Sequence, residues 1–172
     1  MNRDELLKCY TNGERKFTGL DLTGIDLSGL NLPSIALAQS NLNGANLHHA
    51  NLFAAGLVGI QLQRADLREA CLDYAGLKTA DLSGADLRNA SLQGTDLTEV
   101  NLSDADLSGA NFEAATMHGT CLRNAILAGT NLTDVNMHDV DVCGADLKIA
   151  LTNGVCVDGL PLTWRQAICN PW

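Results

Sequence analysis

The stretch "ADLSGADLRNASLQGTDL", residues 80–97, places Leu82, Leu87, Leu92 and Leu97 five residues apart. Two residues ahead of each stands a small side chain (Ala80, Ala85, Ala90, Thr95), and just ahead stands Asp81, Asp86, Ser91 or Asp96. The same step holds far beyond this segment. From Phe17 to Leu147 every fifth residue is apolar, without insertion or polar exception, and most are leucine. We number each unit by five positions: a small or apolar first residue, a second that is mostly Asp or Asn, the apolar third, and a fourth and fifth that are polar, charged or Gly.

A period of five fits neither regular element alone. On an α-helix five residues advance about 500°, which smears the leucines around the cylinder. On one continuous strand an odd step sends successive leucines to opposite faces. The leucines share an interior only if the chain turns a corner once per unit, so that stacked coils pair through their backbones about 4.8 Å apart. That is a solenoid, in which each coil contacts only its neighbours. Each buried leucine contributes on the order of 2 kcal/mol before ordering entropy is subtracted.

The pattern A-[DN]-L-x-x, in "ADLSG", "ANLHH" and "ADLRN", resembles the pentapeptide repeat family over residues 17 to about 150. The resemblance implies an all-β fold, a right-handed quadrilateral β-helix of about seven coils with four repeats per coil. Leu82, Leu87, Leu92 and Leu97 then form one coil of a filled core. The solenoid's exposed ends need covers, and three segments are expected. Residues 1–16 form an N-terminal helical cap, in which Asp4 to Tyr10 make a short helix with an apolar stripe of Leu6, Leu7 and Tyr10, ended by Gly13. Residues 17–150 form the β-helix. Residues 151–172 form a C-terminal cap or dimer segment. There Thr163 and Gln166 suit a capping box, and Trp164, with Ala167 and Ile168, suits an inward helical face. The alternative reading uses Trp164 and Trp172 as a dimer contact, so the chain is a monomer or a dimer joined at its C-terminal end. The opening "ELLKCYTNGERKF" is similar to the cap of cyanobacterial members.

A net charge of −9 argues against direct nucleic-acid or anionic-membrane binding. No apolar leader or membrane-length run is present, so a cytoplasmic protein is expected. The six cysteines show no CxxC spacing. Free thiols are the default in a reducing cytosol, and Cys156 and Cys169 flank one short tail where they could pair.

Chemistry has little purchase. No phosphate loop, nucleophile elbow or zinc-protease motif occurs, and no cofactor, metal or catalytic residue is expected. Cys71 has no histidine in the adjacent repeats to activate it. His118 and His138, twenty residues apart, should stack about 5 Å from one another near Asp139 and Glu99, without a closed ligand set. His48 and His49 are expected to diverge around a corner.

Two surface features remain. With four repeats per coil, Asp66, Asp86 and Asp106 share a face with His48, Arg68 and Arg88, as either a self-paired solvated surface or an anionic strip. "NLFAAGLVGIQL", residues 51–62, puts Phe53 and Val58 where polar residues are expected. This patch either meets a partner or packs on the N-terminal helix. The function expected is a non-enzymatic protein-interaction or regulatory scaffold, with Phe53, Val58, Asp66, Asp86 and Asp106 as contact residues toward a protein partner of unknown identity. Family resemblance adds regulators acting through protein contacts, one of them linked to heterocyst differentiation. It also supplies the alternative, a DNA-mimicking inhibitor or protector of DNA gyrase.

Overall fold

The repeat solves the backbone hydrogen-bond problem for all five of its N–H groups. A computed structural model of the chain describes residues 1–147 and 150, and the backbone of 156–157 and 160–161. Residues 65–69 illustrate the unit. The Ala65 N–H donates to Leu62 O (3.1 Å), closing the preceding corner. Asp66 N–H donates to Ala45 O one coil back (2.9 Å). Leu67 N–H donates to Asp86 O (2.7 Å) and Glu69 N–H to Arg88 O (3.0 Å), both one coil ahead. The remaining donor, Arg68 N–H, is satisfied by the Asp66 side chain at 3.1 Å.

This last bond explains the second position. A carboxylate or amide oxygen there accepts from the N–H two residues on, the Asx turn that Asp and Asn form more readily than other residues. The same bond recurs at Asp26, Asn46, Asp81, Asn101, Asp106 and Asn131. The aspartates that read as surface charge are therefore turn-forming residues first.

The corner explains the fifth position. Every fifth residue from Gly19 to Gly144 has a positive φ, near +60°. With the third-position carbonyl accepting from the next first-position N–H, this is a β-turn whose third residue is left-handed, as type II turns require. Glycine takes that conformation without strain, and it fills eleven of these corners. The others hold residues from Ala54 and Ser34 to Arg64 and Tyr74, kept in that conformation by the ladders on both sides.

Parallel bridges join residues twenty apart, from Lys16–Ala36 through Asp66–Asp86 to Ile126–Asp146. One coil is thus twenty residues, or four units, as the resemblance implies. The third and first positions point inward. Leu82, Leu87, Leu92 and Leu97 are all fully buried, as are Leu27, Leu47 and Phe112. Where a first position is polar, its hydroxyl stays within the core by bonding a carbonyl of the coil below: Thr95 to Leu72 O, Thr120 to Leu97 O, Thr130 to Leu107 O.

Helix α1 spans Arg3–Thr11, one residue longer at each end than expected. Asn2 and Glu5 form a reciprocal capping box, the Glu5 N–H donating to Asn2 Oδ1 (2.9 Å) and the Asn2 N–H to Glu5 Oε2 (3.0 Å). At the other end Glu14 N–H donates to Cys9 O and Gly13 N–H to Tyr10 O, with Gly13 at φ +96°, a Schellman ending. Leu6 is fully buried, and Leu7 and Tyr10 pack against the core edge. The Tyr10 hydroxyl donates to Pro33 O (2.8 Å), and Arg3 pairs with Asp26 (3.2 Å). Strands β1 (Cys156–Val157) and β2 (Leu160–Pro161) pair antiparallel. The expectations for Trp164, for a C-terminal helix and for a Cys156–Cys169 pair fall outside the described side chains. Among the described cysteines, Cys9, Cys71 and Cys121 are free, and Cys143 is disulfide-bonded.

Candidate functional site

Two surfaces differ from the plain repeat. The first is an apolar step. Phe53 stands at a fourth position, and Tyr74 at the fifth position of the coil ahead on the same side. Their rings meet edge to face with centroids 5.6 Å apart, a geometry that aromatic quadrupoles favour. Phe53 and Val58 are each 43% exposed and Tyr74 57%, so helix α1 does not cover them. Beside Val58 the second positions carry almost no side chain: Ala36, Gly56 and Gly76 are bridged in register. A methyl group on Gly56 would touch Ala36 at 3.8 Å, and one on Gly76 would meet nothing. The result is a flat strip of bare backbone rimmed by Phe53, Tyr74 and Val58. Tyr74 escaped the sequence reading. Its signal is the spacing of twenty-one residues from Phe53, one coil plus one.

The second surface is a charge ladder. Arg68 lies 2.6 Å from Asp66 and 3.7 Å from Asp86. Arg88 lies 2.7 Å from Asp86 and 3.8 Å from Asp106. Signs alternate along the face, so the reading as a self-paired surface holds and the anionic strip is largely neutralised over these coils. A shallow depression here is lined by Arg68, Glu69, Arg88 and Asn89. Exposed pairs of this kind contribute little to stability, because solvent screens them. Their effect is to fix side-chain direction and cancel charge.

The Asp66 carboxyl is held below its ordinary range first by the hydrogen bond from the Arg68 side chain, against the opposing effect of burial. Arg88 does the same for Asp86. A carboxyl that binds protons more weakly folded than unfolded stabilises the fold fully above its unfolded value, about 3.9. That stabilisation disappears as pH falls through the folded value. Unfolding free energy is therefore expected to fall as pH drops below about 5. Asp86→Asn should flatten that slope in urea titrations run at several pH values, and an unchanged slope would remove the ladder from the account.

The histidines form two groups. His118 and His138 stack with centroids 5.2 Å apart, near the spacing expected, and both approach Asp139. His48 and His49 do not diverge: their centroids lie 4.0 Å apart. The left-handed corner at His49, φ +57°, swings its side chain back beside its neighbour. Burial pushes the Cys71 thiol up, which makes its nucleophilic thiolate scarcer. No helix among the described residues is long and apolar enough to cross a membrane.

A family model described as pentapeptide repeats, in 8 copies, matches residues 21–55, 34–68, 50–84, 80–119 and 110–148. Among solved structures the chain is similar to HetL, a pentapeptide repeat protein involved in heterocyst differentiation regulation from the cyanobacterium Nostoc sp. strain PCC 7120. Identity is 28% over 94% of this chain and 98% of that one, with a TM-score of 0.36. It is similar to a pentapeptide repeat protein of the cyanobacterium Cyanothece 51142, at 27% identity over 86% and 97% of the two chains and a TM-score of 0.28. It is also similar to QnrB1, a plasmid-mediated fluoroquinolone resistance protein, at 17% identity over 91% and 98% and a TM-score of 0.33. A comparison with curated proteins finds no match.

Proposed function

The chain belongs to the pentapeptide repeat family, whose repeats wind a right-handed β-helix, and from this premise we propose that it is a non-enzymatic scaffold that binds a protein partner. The rod has about seven coils, and helix α1 covers one of its ends. Its contact surface is the step formed by Phe53, Tyr74 and Val58 and the adjoining strip of Ala36, Gly56 and Gly76. The observation that carries this reading is the exposed edge-to-face pair of Phe53 and Tyr74 beside backbone with no side chains over it. Exposed aromatics are the residues most enriched where binding energy concentrates, and a side-chain-free strip lets a partner approach the ladder closely. Asp66, Asp86 and Asp106 stand half a coil away from the Ala36, Gly56 and Gly76 strip, on the opposite side of the rod, as a separate charged surface.

The gyrase-directed alternative needs a continuous anionic face. Arg68 and Arg88 interrupt that face at 2.6 and 2.7 Å from its aspartates, which favours the scaffold reading. The test is capture of partners by the full chain, compared with a Phe53→Asp/Val58→Asp variant of equal thermal stability. The expected result is a partner held by the wild-type protein in high salt and lost in the variant, with affinity down at least about a hundredfold. Capture that is abolished by salt and untouched by the double substitution would move the contact to the acidic surface and overturn this assignment.

A further inference from the structure

The geometry points to a divalent transition-metal site formed by His48, His49 and Glu69, independent of the partner surface. One potential ligand atom from each of the three residues lies within 4.8 Å of the others. Two residues come from one coil and the third from the next, brought together by the coil pitch and by the left-handed corners at His49 and Glu69. The His49 Nδ1 stands 3.5 Å from Glu69 Oε2.

His48 supplies the feature that separates this group from an accidental cluster. Its Nδ1 lies 2.8 Å from the Arg68 carbonyl oxygen. A carbonyl only accepts, so Nδ1 carries the proton, and in the neutral ring the Nε2 lone pair is left for a metal. A ligating histidine characteristically donates its second ring N–H to a carbonyl or carboxylate in this way, which fixes both tautomer and ring direction. The half-buried setting of His48 holds the ring in place, while exposed His49 and Glu69 have room to close in. Ligands about 2.1 Å from a tetrahedral zinc ion stand roughly 3.4 Å apart, so closure requires small rotations of the two exposed side chains.

The local charge favours a cation. Glu69 brings a negative charge beside the imidazoles, and Arg68, its neighbour in the same repeat, is shared with Asp66 and Asp86. Two imidazoles and one carboxylate suit zinc or copper and leave a fourth position for water. Calcium or magnesium would want oxygen donors instead.

The experiment is a Zn2+ titration of the full chain carrying His118→Ala/His138→Ala, which removes the second histidine cluster. Binding is read by equilibrium dialysis and by the histidine ring resonances. One ion per chain should bind, with the His48 and His49 signals moving together. Adding either His49→Gly or Glu69→Gln should weaken binding at least tenfold. Both substitutions suit the backbone, because Gly29, Gly109 and Gly129 occupy the same corner in other coils, and Gln39 shows that glutamine is accommodated at a left-handed corner. A thermal melt checks that both variants stay folded. No saturable binding in the double-alanine background, or binding at full strength in His49→Gly, would overturn the site.

Discussion

Leu87→Ala should lower the unfolding free energy by about 4–5 kcal/mol, at the upper end of what a buried leucine usually costs. Leu87 is fully buried, and the bridge from Asp66 through Asp86 to Asp106 places Leu67 and Leu107 in the coils on either side. In a helical core the backbone relaxes into part of the space that a truncated side chain leaves. Here it is clamped: Leu87 N–H is bonded to Asp106 O at 2.8 Å, and Leu67 N–H to Asp86 O at 2.7 Å. The coil spacing is fixed by these bonds, so the void stays open and its lining loses contacts outright. Leu87→Met, which keeps the volume, should cost under about 1.5 kcal/mol. Urea denaturation of both variants measures the difference. A loss below about 1 kcal/mol for the alanine variant would mean that the coils slide together and the ladder is softer than its geometry implies.

Gly94→Val should cost about 2–3 kcal/mol, and by two separable routes. Gly94 sits at a corner with φ +63°. A β-branched residue in the left-handed region pays roughly 1–2 kcal/mol for the backbone alone. The new Cβ would also lie 2.7 Å from Cε1 of the Tyr74 ring, which rests over Gly94. That ring is exposed enough to swing aside, but in doing so it abandons Phe53 and forfeits about 0.5–1.5 kcal/mol of edge-to-face contact. In a Tyr74→Gly background the second cost vanishes, so the Gly94→Val penalty should shrink to its backbone part. Equal penalties in the two backgrounds would show that Tyr74 does not rest on this corner. Partner capture should weaken in Gly94→Val as well, because the aromatic step is broken without either of its rings being touched.

The fold was legible because a single number, the period of five, excludes both the helix and the continuous strand. The buried columns follow from it, and Leu82 to Leu97 lie where the period puts them. What the period does not show is which backbone donor lacks a partner. The second-position aspartates therefore read as surface charge, although Asp66 is first the acceptor for Arg68 N–H. Accounting for the five donors of a repeat would have revealed that role from the sequence. The capping box of Asn2 and Glu5 was equally readable and passed unnoticed. His48 and His49 were misjudged for a different reason: the direction of neighbouring side chains at a corner depends on the sign of φ, which a non-glycine residue does not announce. Tyr74 was missed because columns of twenty hide contacts between a fourth and a fifth position.

A pitch of twenty residues turns the chain into a counting frame. Removing five residues would leave every leucine inside, yet rotate everything downstream by a quarter turn and carry Tyr74 away from Phe53. Removing twenty would shorten the rod by one storey with the surface pattern still aligned. Core and surface thus answer to different arithmetic, the one tolerant of any whole unit, the other only of complete circuits. Length can vary among such chains in steps that preserve what they recognise, and the partner surface can be rewritten on a side of the rod without disturbing what holds it up.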